Sequence, residues 1–253
     1  MKIVFLGSGN VATHLAQKLK EAGEEILQVY SRTDANAICL ANKVGAEAIK
    51  SLKALNTAAD VYLLSVKDEA ISQLAPALRH VDGLVAHTSG ATAIDVLQDL
   101  KNYGVFYPLQ TFSKTQTLDL SNTPLCLEAN NAENLEILEQ LAHKLSKAVY
   151  QVDSHQRTIL HLSAVFACNF SNHLYGISAS IMEEHGLNFD ILKPLILETA
   201  QKIQSASPTS VQTGPAVRGD EKTMLKHLQL LEGQDDLQTI YKTLSESIKK
   251  THL

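Results

Sequence analysis

The stretch that most constrains this chain is Gly7-Ser8-Gly9-Asn10-Val11-Ala12. It follows the short apolar run Ile3 to Leu6 and leads into a helical stripe of Val11, Leu15, Leu19 and Ala22, with Gly23 as the natural stop. A GxGxxA turn is common on its own. Set between a buried strand and an amphipathic helix, it has the context of a dinucleotide-binding fingerprint. Gly7 permits the tight turn, Gly9 lets the backbone approach a pyrophosphate, and Ala12 is small enough for close helix–strand packing. An anion held there meets free N–H groups and the positive end of the helix dipole.

Which dinucleotide fits is decided at the end of the second strand. A site for NAD would place Asp or Glu there to bind the ribose 2′-hydroxyl. This chain reads Tyr30-Ser31-Arg32-Thr33. An arginine flanked by two hydroxyls suits a 2′-phosphate, which a carboxylate would repel. The expected cofactor is NADP(H); the bland alternative for Arg32 is a solvated charge at a strand end. By position, Ser65, Val66 and Lys67, and then Thr88, Ser89 and Gly90, pass the nicotinamide ribose and ring. Lys67 reads equally as a surface lysine before a helix, and Asp68 as that helix's N-cap.

Strand-like and helix-like patterns alternate over residues 1–152, and helices alone follow over 153–253. The expected fold is α/β: a doubly wound parallel Rossmann sheet, then an all-α substrate and dimerisation domain. Strands are expected at 25–30, 61–66, 84–86, 105–107, 125–127 and 148–152, with helices from about Asp68 and Ala93 and over 134–145. Asp153 and Gln156 have the spacing of a capping box. The helix they open is expected to run unbroken to His185 and stop at Gly186. Its apolar residues surround most of its circumference, which predicts burial on nearly all sides, by other helices or by a second subunit. Further helices are expected at about 189–205, 220–231 and 235–250.

A net charge of −5 gives no general attraction to nucleic acid or anionic membrane. Cys39, Cys126 and Cys168 have neither CxxC nor metal spacing and are read as buried reduced thiols, which favours a reducing compartment. Four apolar residues after Lys2 are too few for a signal-peptide core, and no apolar run approaches the ~20 residues of a bilayer span. A cytoplasmic protein with a small-molecule substrate, and with neither nucleic-acid nor membrane partners, is expected.

Three further segments carry a family likeness: Tyr107–Ser113 (YPLQTFS), His161–Phe170 (HLSAVFACNF) and Thr213–Asp220 (TGPAVRGD). With the turn and the helical second half, they make the chain resemble Rossmann-like NADP-binding oxidoreductases carrying the domain of unknown function 2520. That family resembles the superfamily with a 6-phosphogluconate dehydrogenase C-terminal-like domain, which includes pyrroline-5-carboxylate and ketopantoate reductases. The resemblance implies fold and cofactor over essentially the whole chain and names no substrate. The first long helix lacks the Lys-x-x-x-Asn pair of the β-hydroxyacid dehydrogenases and offers His161 and Asn169 instead.

His161 suits a general acid, since unperturbed imidazole titrates near neutrality, or else a hydrogen-bonded core histidine. Asn169 and Asn172, with His173, share one helix face and need a polar cavity or an interface. His161 and Asn169 are the candidate catalytic residues. Tyr107, Gln110, Thr111, Asn172 and Arg218 are the candidate substrate contacts, Arg218 as a bidentate clamp for an anionic group or as a loop-fixing ion pair. Asp220 reads as a helix N-cap. The leading expectation is hydride transfer between NADP(H) and a small polar, anionic carbonyl, hydroxy or imine compound in the interdomain cleft. Alternatives are an NADP-binding sensor without turnover and a structural helical dimer.

Overall fold

The computed structural model describes residues 1–113 and 118–252. Among them, eight strands form one sheet: β1 (Lys2–Leu6), β2 (Glu25–Tyr30), β3 (Glu47–Ile49), β4 (Val61–Leu64), β5 (Leu84–His87), β6 (Tyr103–Pro108), β7 (Leu125–Ala129) and β8 (Val149–Gln151). Their order is β3-β2-β1-β4-β5-β6-β7-β8. The first six strands have the doubly wound order of dinucleotide-binding sheets, which reverses between β1 and β4. Helices α1 (Asn10–Glu21), α2 (Asp34–Val44), α3 (Asp68–Leu74) and α4 (Ala132–His143) connect the strands.

The strands are apolar because both faces of the sheet are covered. In β1, Ile3 and Phe5 enter one core with Leu15, Leu19, Leu40 and Leu138 from α1, α2 and α4. Val4 and Leu6 enter the opposite core with Tyr62, Leu64, Ile71 and Leu78. Period-2 alternation along a single strand thus feeds two cores.

Four expectations about this half need correction. The sheet is not wholly parallel: β6 and β7 pair antiparallel, Tyr107 opposite Cys126 and Val105 opposite Glu128. No helix lies between them among the described residues, and a parallel neighbour would need a crossover. β3 was not expected, because three residues are too short to show a period. The helix expected from Ala93 is a single 3-10 turn, Ile94–Leu97, closed by i→i−3 bonds such as Gln98 N–H to Asp95 O (3.1 Å). Asp68 is the first residue of α3 and makes no side-chain cap; Lys67 holds the N-cap position.

The chain divides into two compact units, Met1–His173 and Leu174–Leu253. The first takes in α5 (Ser154–Ala164), opened by the expected capping box: Asp153 accepts from Gln156 N–H (2.7 Å) and Gln156 Oε1 from Asp153 N–H (3.0 Å). The helix is not uniformly α. Val165–Phe170 is a π-helical segment before α6 (Ser171–Glu184), and Gly186 ends the run in a left-handed conformation (φ 69°). Nor is it buried all round: Ile159, Leu162, Phe166 and Phe170 are exposed in the single chain. The second unit holds α7 (Lys193–Lys202), α8 (Glu221–Leu230) and α9 (Asp235–His252). Asp220 caps α8 as expected, accepting from Thr223 N–H (3.1 Å). Of the three cysteines only Cys126 is buried; Cys39 and Cys168 are exposed, because helix positions flanked by apolar residues need not face a core. No helix among the described residues is long and apolar enough to cross a membrane.

Candidate functional site

One pocket of about 950 Å3 opens at the carboxyl ends of the strands, where the strand order reverses. The chain turns there because Gly7 has φ 122°, and a Cβ on it would come within 2.0 Å of the Ser65 carbonyl oxygen. Gly7 N–H donates to Tyr30 O (2.7 Å), and Ser8 Oγ bonds Ser31 Oγ (2.9 Å), so the glycine turn and the end of β2 form one surface. Helix α1 starts with no side-chain cap and no acidic residue in its first turn, and a Cβ added to Gly9 would meet no protein atom. Its leading amides are therefore left to an anion, and the backbone is bare where a pyrophosphate must approach. Arg32 lines the pocket, exposed, without an ion pair among the described residues. Ser65 also lines it, its hydroxyl without a hydrogen-bond partner among the described residues. The donors and the bare cradle fit a dinucleotide with a 2′-phosphate.

All the residues expected to bind cofactor line this pocket except Ala12, which is buried beneath it: Gly7, Ser8, Gly9, Asn10, Val11, Ser31, Arg32, Thr33, Ser65, Val66, Lys67, Thr88, Ser89 and Gly90. Asn36, Gln73 and Leu74 line it too and were missed, since a polar or apolar helix residue carries no motif.

The pocket's other end is closed by Gly90, Ala91, Tyr107 and His161. Tyr107 Oη and His161 Nδ1 are 3.0 Å apart. A Cβ on Gly90 would lie 2.7 Å from His161 Nδ1 and 2.7 Å from Tyr107 Cζ, so a larger residue there would push the pair aside. Burial pushes the Tyr107 phenol up to about 12, so it remains protonated at neutral pH. His87, fully buried beneath the loop, accepts from Ser89 N–H (3.2 Å) through Nδ1. Burial, with the nearby Arg157 charge, pushes it down to about 3, so it is neutral and carries its proton on Nε2.

Arg157 lies one helical turn before His161 and is fully buried. It pairs with Glu128 on β7 and donates to Thr92 O (2.6 Å) and Ser154 Oγ (3.1 Å). Glu128 also accepts from Ser154 N–H (3.0 Å) and Oγ–H (2.8 Å). A sequence reading misses this pair because an arginine and a glutamate mostly mark surface. The available signal was the i, i+4 spacing from Arg157 to His161, which puts both on one helix face.

The remaining candidates are not among the residues that line the pocket. Gln110 and Thr111 are exposed just beyond β6, where Gln110 Oε1 accepts from Thr111 N–H (2.8 Å). Asn169 and Asn172 are exposed on the π segment and the first turn of α6. Arg218 is exposed on the loop before α8.

Comparison with known proteins gives two family matches. Residues 123–248 match the domain of unknown function DUF2520. Residues 2–96 match the NADP oxidoreductase, coenzyme F420-dependent, family. No curated protein matches. Among solved structures, a protein described as an NADP oxidoreductase, BF3122 from Bacteroides fragilis, is 42% identical, with TM-score 0.94 over 98% of both chains. TM1727 from Thermotoga maritima is 22% identical, with TM-score 0.83 over 99% of both. An imine reductase from Myxococcus stipitatus, in complex with NADP+, is 15% identical, with TM-score 0.72 over 99% of this chain and 93% of its own. The last two show likeness of fold alone.

Proposed function

The chain belongs to the Rossmann-type NADP-binding oxidoreductase family, and on that premise we propose that it transfers hydride between NADP(H) and a small polar, anionic carbonyl, hydroxy or imine compound. The observation that carries this reading is that one pocket holds the glycine turn, Arg32 and the Tyr107–His161 pair.

In this reading the α1 amides and the backbone at Gly9 take the pyrophosphate, while Ser31, Arg32 and Thr33 take the 2′-phosphate. Bound NADPH supplies the hydride. Thr88, Ser89 and Gly90 position the ring against Tyr107 and His161. In a neutral His161, Tyr107 Oη donates to Nδ1 and the ring proton sits on Nε2; in the imidazolium, Nδ1 donates to Oη. Either way Nε2 presents a proton to the substrate oxygen or nitrogen that gains charge as hydride arrives. The orienting roles proposed for Asn169, Asn172 and Arg218, and for Gln110 and Thr111, require an assembled form that brings these exposed side chains to the substrate. We propose a homodimer through the helical half, because that half leaves large apolar side chains uncovered. One feature favours a second reading, a sensor without turnover: Ser154–Glu184 contains no lysine to handle an alcohol proton.

The test is titration of the protein with NADPH and NADH, wild type beside Arg32→Ala. NADPH is expected to bind more tightly to wild type. Loss of the arginine fork should weaken NADPH by about 10- to 100-fold, as for a charge-assisted pair, and leave NADH within about threefold. A preference that survives the substitution overturns the assignment of Arg32. If neither nucleotide binds wild type, the function is overturned.

A further inference from the structure

We propose that Arg157 is the positioning residue of this site: with Glu128 and Ser154 it locks the loop Thr88–Thr92 to the helix that carries His161. The inference rests on the oxidoreductase reading and goes beyond it, since it concerns a buried group that touches neither cofactor nor substrate.

Three separate pieces of backbone meet at one guanidinium. Nη2 holds the carbonyl of Thr92, at the end of the loop whose Thr88, Ser89, Gly90 and Ala91 line the pocket. Nη1 holds Glu128 on β7, opposite Val105 and one alternate position from the Tyr107–Cys126 pair. Ser154 Oγ, in the first turn of α5, accepts from Arg157 and from Ile94 N–H (2.9 Å) and donates to Glu128. The loop is stiffened from inside as well: Ser89 Oγ accepts from Ala91 N–H (3.2 Å) and Thr92 N–H (3.0 Å). Gly90 and the Tyr107–His161 pair already touch with no room for a methyl group, so a small shift of loop against helix opens or jams the contact. A planar fork that reaches a carboxylate and a carbonyl at once can hold that register. Lysine, with one ammonium on a flexible stem, can keep the charge but not both directions.

The experiment uses Arg157→Lys and the milder Ser154→Ala, each compared with wild type. Adenosine 2′,5′-bisphosphate affinity reads the phosphate end of the pocket, and emission of bound NADPH reads the nicotinamide end. Wild type is expected to bind both ligands and to shift NADPH emission to the blue. The variants should keep adenosine bisphosphate affinity within about twofold, since no phosphate donor is altered, while the NADPH emission returns toward that of free cofactor. Equal loss of both signals marks a structural role and overturns the inference. So do variants whose NADPH emission matches wild type, or a wild type that binds NADPH without a shift. If wild type binds neither ligand, the functional reading itself fails. Should Arg157→Lys not fold, Ser154→Ala decides alone.

Discussion

At the scale of single residues, the buried polar groups distinguish this site from an ordinary core. His87 is neutral in the fold because burial, aided by the Arg157 charge, pushes it down to about 3. An unfolded histidine titrates near 6.5, so between those values the unfolded chain binds a proton that the folded one refuses. Stability from this residue is therefore full above pH 6.5 and is lost as pH falls toward 3. At about 1.36 kcal/mol per pH unit, the loss from pH 7 to pH 4.5 is on the order of 2–3 kcal/mol. His87→Gln removes this titration. Urea midpoints at pH 7 and pH 4.5 should converge in the variant relative to wild type; parallel acid limbs would show that His87 is not buried neutral. Only part of this was legible in the sequence. His161 and Tyr107 stood out because they lie in motif-like segments, whereas nothing in the residues near His87 signals that β5 ends in a dry interior.

Among elements, the strength of a local signal decided what could be foreseen. The capping box is such a signal, because both partners lie within four residues and the geometry is fixed by hydrogen bonds. Asp153→Ala removes one of them, and the expected cost is about 1 kcal/mol, read as a lower urea midpoint. Ser154, next to Asp153, ties the same turn to Glu128, so a loss far above 2 kcal/mol would show that the cap and the buried network act as one unit. The glycine turn was equally legible: its strand, turn and helix are contiguous. What escaped was non-local or short. β3 has three residues, and the antiparallel pairing of β6 with β7 is a non-local register that no pattern within either strand encodes. The π segment Val165–Phe170 lies in a run whose apolar spacing satisfies an α-helix well, so periodicity alone cannot find it. Arg157 and Glu128 escaped for the complementary reason, since their burial depends on a pairing 29 residues apart.

For the whole molecule, the exposed apolar side chains are the feature a single chain leaves unexplained. Ile159, Leu162, Phe166 and Phe170 are spaced by three, four and four residues, so they form one stripe along the helical run; all are about half exposed or more, and Phe166 reaches 62%. Phe166 and Phe170 already stack edge to face, with ring centroids 5.0 Å apart. The second unit likewise exposes Ile191, Leu195, Leu197 and Leu230. Burial of such surface is worth about 25 cal/mol per Å2, and a stable dimer interface removes roughly 1,200–2,000 Å2 from water. A carboxylate placed within a contact of that kind is desolvated without a partner. Wild type should therefore sediment as a dimer at micromolar concentration, and its melting temperature should rise with concentration, as mass action requires when only the folded form associates. Phe166→Asp should sediment as a monomer whose melting temperature no longer depends on concentration. Its affinity for adenosine 2′,5′-bisphosphate should stay within about twofold, since the phosphate end of the pocket is built within the first unit alone. A monomeric wild type would leave the stripe without an occupant. It would also remove the assembled form on which the proposed roles of Asn169, Asn172 and Arg218 depend.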